Sequence, residues 1–277
     1  MSTTEDVVRA EDPLDLTLST DELEAHREHI TDFIAEQFSA AGADRAVIGL
    51  SGGIDSTLTS HLLVEALGAD RVHGLVMPSE VNRDENMSDA ERVARDLLGI
   101  EYDIVEINPI VDVFLGAFPE AADDRMAAGN LRVRVRAVLN YLVANHEDGL
   151  VVGTGNRSEA LVGYFTKYGD GAVDCHPIAN LYKGQVRQLA RHVGVPDDLA
   201  AKTASAEMWV GQTDEAELGV DYETLDSVLA LHVDGPLSAS ATAREIGVSE
   251  DAVETVRGRY EASAHKRRAP PGPDPLY

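Results

Sequence analysis

The stretch Gly49-Leu50-Ser51-Gly52-Gly53-Ile54-Asp55-Ser56 brings adjacent glycines, two serines and an acid together in one short segment. Glycines take positive φ and keep side chains out of the way. Successive backbone N–H groups then point into one concavity, backed by the positive end of the following helix. The segment therefore suits a phosphate or pyrophosphate. It is not a Walker A loop, because GxxxxGK[ST] does not occur in the chain. Asp55 stands where that loop would put its lysine, and an acid beside phosphates makes sense with a divalent cation between them. A second acid, Glu159, follows Gly153-Thr154-Gly155-Asn156 and falls early in a helix. Two carboxylates at adjacent strand ends are what a magnesium–nucleotide complex needs. Taken alone, Glu159 equally suits a helix N-terminus, where an acid is worth about 0.3–1 kcal/mol. Asp55 and the glycines likewise have a plain reading as parts of an ordinary turn.

Such residues converge only on a scaffold that gathers strand ends. Residues 46–50 are apolar and β-prone, and a helix starting near Ser56 reaches Leu67, with Gly68 as its cap. Strands are expected at 72–77, 104–107 and 150–154. Helices are expected from a cap at Thr20-Asp21, with Leu23, Ile30, Phe33, Ile34 and Phe38 facing inward, and from a Ser88…Glu91 capping box to Leu98. Two more span 131–145 and 182–192. The alternation implies an α/β fold, a doubly wound parallel sheet with helices on both faces in the Rossmann-like manner, with ligands at the carboxyl ends of the strands. Residues 1–18 read as an acidic, flexible N-terminus. Residues 19–277 read as a single domain ending in a helical hairpin and a Pro-rich tail at 267–275.

Composition narrows the class. The 277 residues carry 49 acids against 23 Lys plus Arg, a net charge of −26. That surface repels nucleic acid and anionic membranes. It also strains a compact fold in dilute buffer, a strain that salt screens. The lysines are Lys167, Lys183, Lys202 and Lys266; arginine supplies the other cations. An acid-rich, lysine-poor chain fits a cytoplasm at very high salt, such as that of a halophilic archaeon. No bilayer-length apolar run and no secretory signal occur, so the expected location is cytoplasmic. The single cysteine, Cys175, excludes an intramolecular disulfide and a cysteine-rich zinc site.

GLSGGIDS resembles the pyrophosphate loop of the ATP pyrophosphatase (PP-loop) superfamily. GTGNRSE, GYFTKYGDG, HPIANLYKGQVRQLA, GQTDE and HKRRAPP, in that order, resemble NAD synthetase, and the similarity runs from about residue 20 to 273. The resemblance implies a ligase that amidates deamido-NAD with ammonia and ATP through an acyl-adenylate, releasing AMP and pyrophosphate. It implies that Gly49 to Ser56, Thr154, Lys183 and Ser205 contact ATP, and that Asp55 and Glu159 hold Mg2+. Arg134, Lys167, Asp174, His265 and Lys266 would contact deamido-NAD. Asp55, Lys183 and Asp174 would be catalytic, Asp174 holding or deprotonating ammonium beside the acyl carbon. A homodimer with deamido-NAD near the subunit interface is also implied. Some family members carry an extra glutaminase domain; this chain has no length for one, so free ammonia is the expected nitrogen donor, unless a separate subunit supplies it. Against the family pattern, Cys175-His176 stand where an apolar residue and asparagine are usual, Ala204 where proline is, and Arg157 where lysine is frequent.

Two other readings compete. Residues 242–256 form a helix, a Gly-Val-Ser turn and a second helix, the pattern of a DNA-binding regulator. Its recognition helix would begin Ser-Glu-Asp-Ala-Val-Glu and present acids to phosphates, which electrostatics opposes. tRNA thiolation within the same superfamily usually needs a cysteine pair, and this chain has one cysteine.

Overall fold

The computed structural model describes residues 15–78, 83–205 and 212–276. Helix α1 (Thr20–Ala41) opens on a capping box: Ser19 accepts from the Glu22 N–H, and the Glu22 carboxylate accepts the Ser19 N–H at 2.8 Å. The cap lies one residue before the expected Thr20, because the box needs an acid at the third helical position and Glu22 supplies it. Ile30, Ile34 and Phe38 form the buried stripe of α1.

Strand β1 (Arg45–Leu50) lies inside a four-stranded parallel sheet. It pairs with β2 (Val72–Val76) on one side and β4 (Gly149–Val152) on the other, and β3 (Glu101–Ile104) extends β2. Ala46 is opposite both Val72 and Leu150. Strand side chains alternate between faces, so Ala46, Ile48 and Leu50 enter one core and Val47 the other. The first core is closed by α1, α2 (Ile54–Leu67) and α7 (Lys183–His192). The second is closed by α4 (Asn108–Ala117) and α5 (Arg125–His146). The expected doubly wound sheet is formed, with its switch point between β1 and β4.

Several boundaries differ from expectation. The third strand is Glu101–Ile104, not 104–107: it is a mostly exposed edge that tolerates polar residues, while Ile107 is buried as the cap of α4. Helix α3 (Arg83–Glu91) continues through a π-helical stretch, Arg92–Leu98, so Ser88 lies inside it rather than at its cap. Helix α5 begins well before Leu131, because Asp124 caps it by accepting from the Met126 and Ala127 N–H groups.

Beyond α6 (Arg157–Val162) and the short α8 (Asp197–Ala200), the chain ends in α9 (Asp214–Leu218), α10 (Tyr222–Val228), α11 (Ala239–Ile246) and α12 (Glu250–Ala262). The apolar faces of α9–α12 share a third core with Val162 and Tyr182. The hairpin of α11 and α12 is thus packed on the domain. Of the N-terminus, residues 1–14 lie outside the described residues. Leu16 and Leu18 are fastened by backbone hydrogen bonds to Gln188 on α7, at 3.2 and 2.8 Å. Residues 267–276 have no regular structure. No helix among the described residues is long and apolar enough to cross a membrane.

Candidate active site

The turn after β1 has the shape that its glycines suggest. Gly52 adopts φ +74°, a left-handed conformation that glycine takes without a steric penalty. The Ser56 hydroxyl donates to the Gly53 carbonyl at 3.1 Å and lies 3.1 Å from Ser51 Oγ, which accepts the Gly53 N–H at 3.2 Å. The Gly53 amide is therefore used within the turn. The first amides of α2, from Ile54 to Ser56, have no intrahelical acceptor, and these residues line a cleft of about 740 Å³ at the carboxyl edge of the sheet.

A buried cation stands beside that turn. Lys183, 2% exposed at the first position of α7, donates to Asp55 Oδ2 at 2.5 Å and to Glu159 Oε1 at 3.2 Å. Asp55 comes from α2, after β1; Glu159 comes from α6, after β4. Asn156 locks the two acids together: it caps α6 in a reciprocal box with Glu159 and donates from Nδ2 to Asp55 Oδ1 at 2.8 Å. Burial pushes the Glu159 carboxyl up to about 7, against the pull of Lys183 and with the repulsion of Asp55 and Asp214. Burial lowers the Lys183 ammonium, but the charges of Asp55 and Glu159 outweigh it and the net shift is upward.

More groups surround this centre than the motifs announce. Asp214, 3% exposed, accepts from Tyr164 Oη at 3.0 Å and Tyr222 Oη at 2.9 Å. Burial, then the neighbouring acids, raises both phenols, so they stay protonated donors. The Lys183 ammonium also lies 5.3 Å from the Tyr222 ring centre. Asn156 was within reach of sequence reasoning, since Asn-x-x-Glu is a capping signature. Asp214 and Tyr222 carry no such local signal.

Gly49, Leu50, Ser51, Gly53, Ile54, Asp55, Ser56, Thr154, Lys183 and Ser205 line the cleft, as does Glu159; Gly52, within the turn, is buried and does not. Lys266 also lines it, with its ammonium held by the carbonyls of Gly163 at 2.7 Å and Phe165 at 2.8 Å. Arg134, Lys167 and His265 form a chain outside the cleft lining. Arg134 donates to the Lys167 carbonyl at 3.2 Å, and Lys167 Nζ to the His265 carbonyl at 2.8 Å. Asp174, expected beside the reacting carbon, lies at the edge of the sheet. Asp174 does not line the cleft; its carboxylate accepts the Val151 N–H at 2.7 Å and the Tyr141 hydroxyl at 3.2 Å. It fastens the 174–176 segment to the edge of β4, where Val152 bridges Cys175. Burial and Asp174 push Tyr141 up to about 12. Burial pushes the Cys175 thiol up to about 11, so it stays a thiol at neutral pH.

Two of the family departures have specific local partners. Arg157 pairs with Asp234 through two guanidinium nitrogens, at 2.8 and 2.6 Å, and stacks on Tyr182. His176 packs against Gly153, where a Cβ would fall 2.5 Å from its Nδ1. Gly211 of the GQTDE run lies outside the described residues.

Among the described residues no cluster of three or more His, Cys, Asp or Glu is arranged for a metal. Asp55 and Glu159 nonetheless offer hard oxygen donors to one shared cation, now the lysine ammonium. Such a pair fits magnesium, which takes one or two carboxylates and draws its remaining ligands from phosphates and water.

A glycine turn and a carboxylate–ammonium centre at the switch point of a parallel sheet mark an α/β protein with a phosphate-suited cleft, the arrangement that the PP-loop resemblance implies. A family model described as NAD synthase matches residues 26–270, and the chain belongs to that family. The NH(3)-dependent NAD(+) synthetase of Halobacterium salinarum is 62% identical over 261 residues, 94% of this chain and 97% of the relative. The protein of that name from Hyperthermus butylicus is 51% identical over 89% of each chain. An NMN synthetase structure from Francisella tularensis superposes with a TM-score of 0.80 at 32% identity, covering 93% of this chain and 100% of that one. An NH3-dependent NAD synthetase from Campylobacter jejuni, in complex with nitrate, gives 0.77 at 29% identity over 93% and 100%.

Proposed function

We propose that the Asp55–Lys183–Glu159 centre and the amides of α2 carry the first half of an ammonia-dependent NAD synthetase reaction. In that reaction the nicotinate carboxylate of deamido-NAD attacks the α-phosphorus of ATP and pyrophosphate leaves with the bonding electrons. Ammonia then attacks the acyl carbon, the bond to AMP breaks, and the surplus proton passes to solvent. Charge grows on the departing pyrophosphate in the first step. Preorganised donors aimed at that charge lower the barrier most. The Ile54 to Ser56 amides and the Lys183 ammonium are such donors, and Thr154 and Ser205 border the same cleft where the rest of ATP must lie. Asp55 and Glu159 would hold magnesium, which supplies charge neutralisation on the phosphates when bound. The observation that carries the assignment is the buried lysine shared by two acids at the mouth of the glycine turn.

The deamido-NAD side extends beyond one chain. Arg134, Val138 and Leu142 lie on one stripe of α5 at i, i+4 and i+8, with Val138 68% and Leu142 63% exposed. Val113 and Phe114 of α4 add 72% and 54% exposure. An apolar face of this extent favours a second copy of the chain. With Arg134 on its stripe and Lys167 bonded to Arg134, a homodimer places these cations where an anionic dinucleotide reaches across from the cleft. Asp174, anchored at the edge of β4, would hold or deprotonate ammonium for the second half of the reaction. The acidic charge fits a salt-rich cytoplasm.

The test is NAD formation from deamido-NAD, ATP and ammonium at high KCl, with glutamine alone as the control donor. Asp55→Asn is expected to lose about a hundred- to a thousandfold in turnover with its circular dichroism unchanged. A folded Asp55→Asn protein that turns over like wild type, or equal turnover with glutamine, overturns the assignment.

A further inference from the structure

The carboxylate of Asp226, on α10, does not line the cleft and is 2% exposed. It accepts from the Ser158 hydroxyl on one oxygen and from the Gly184 N–H at 2.8 Å on the other. Ser158 Oγ in turn accepts the Lys183 N–H at 2.9 Å. Ser158 directly precedes Glu159 in the first turn of α6; Lys183 and Gly184 are the first two residues of α7. One buried carboxylate therefore closes hydrogen bonds with both turns that carry the ammonium–carboxylate pair. At the start of α7, Gln185 Oε1 accepts the Tyr182 N–H at 3.1 Å, while the Lys183 and Gly184 amides are satisfied from α6 and α10. The Gly184 N–H can only donate, and the Ser158 hydroxyl, which accepts the Lys183 N–H, turns its proton to the other Asp226 oxygen.

We propose that Asp226 is a positioning residue that fixes the spacing of Lys183 and Glu159, and through it the charge presented to the ATP phosphates. The proposal rests on the role given above to Lys183 and Glu159. The Lys183 side chain is buried along its length, so a shift at the start of α7 is passed to its ammonium. A displacement of about 1 Å at a reacting centre costs on the order of a hundredfold in rate. Asn at position 226 keeps the shape but turns an amide N–H2 toward one of the two donors.

The experiment compares wild type, Asp226→Asn, Ser158→Ala, Lys183→Ala and the Asp226→Asn/Lys183→Ala double variant in steady-state kinetics at high KCl. Asp226→Asn is expected to lower kcat by roughly ten- to a hundredfold, with KM for ATP changed by less than about threefold and the melting transition still cooperative. Ser158→Ala, which keeps the Gly184 bond, is expected to move kcat in the same direction by a smaller factor. In the Lys183→Ala background Asp226→Asn is expected to cost a clearly smaller factor than in wild type, because one of the two groups that it positions is gone. A purely structural role would lower both backgrounds by the same factor and would overturn the proposal. So would a folded Asp226→Asn enzyme with kcat within about twofold of wild type. If Asp226→Asn does not fold, an unchanged kcat in Ser158→Ala overturns it. Wild-type turnover in Lys183→Ala would remove the underlying site assignment as well, whereas an inactive Lys183→Ala beside an unaffected Asp226→Asn removes this inference alone.

Discussion

Glu159 keeps a carboxyl in the wall of the cleft, where its charge costs solvation that Lys183 only partly restores. Its ordinary value of 4.5 rises to about 7, with burial as the largest cause. A raised folded value means that the folded state binds a proton which the unfolded chain releases between those two pH values. The contribution to stability is thus full below pH 4.5 and is lost as pH climbs through about 7. At ~1.4 kcal/mol per pKa unit, the loss is on the order of 3–4 kcal/mol. Glu159→Gln carries no such proton. Without added divalent cations, its melting temperature is expected to gain on wild type as pH goes from 5 to 8. A difference between the two proteins that stays constant across that range contradicts the burial argument. In turnover the same variant is expected to be poor, since it removes one of the two oxygens offered to the cation.

Helix α6 shows how an element holds the site from behind. It ends at Gly163, φ +66°, and a Cβ there would lie 2.1 Å from Ser263 Cβ, just past α12. Only a bare backbone lets the end of α12 approach so closely that Lys266 reaches the Gly163 and Phe165 carbonyls. Gly163→Ala combines a positive φ with a direct clash, and is expected to cost about 2–4 kcal/mol and to free the segment around Lys266. Urea denaturation measures the first, and limited proteolysis after α12 the second; a loss below about 0.5 kcal/mol would mean that the two helix ends separate at no cost. The sheet and the place of its ligand edge were legible because buried parallel strands leave apolar runs and the turns after them leave glycines. Edge strand β3 was misplaced because Glu101-Tyr102-Asp103-Ile104 is half in water and has no apolar pattern to read. At the site, Asp55, Glu159 and Lys183 were legible because each occupies the first turn of a helix whose start the sequence announces. Asp226, Asp214 and the anchoring role of Asp174 were not. In a chain with 49 acids, the burial that sets one acid apart arises only from tertiary packing.

Charge acts on the molecule as a whole. Each copy carries −26, so pairing two along the exposed stripe of α4 and α5 makes an assembly of −52. The apolar face favours contact, and its energy does not depend on the sign of the remaining surface. Long-range repulsion opposes contact over a Debye length of about 10 Å at 0.1 M salt but only about 3 Å at 1 M. The same screening relieves repulsion within each fold. Melting temperature and dimer fraction are therefore expected to rise together as KCl goes from about 0.1 to 2 M, measured by scanning calorimetry and sedimentation velocity. Val138→Glu with Leu142→Glu separates the two effects. It adds charge to the apolar stripe without touching the cleft, so the protein is expected to stay monomeric at every salt concentration while its melting temperature still climbs with KCl. A wild-type melting temperature that is flat or falls with KCl would show that the acidic surface does not strain the fold. A dimer that survives both glutamates would place the subunit interface on another face, and would take Arg134 and Lys167 away from the shared dinucleotide.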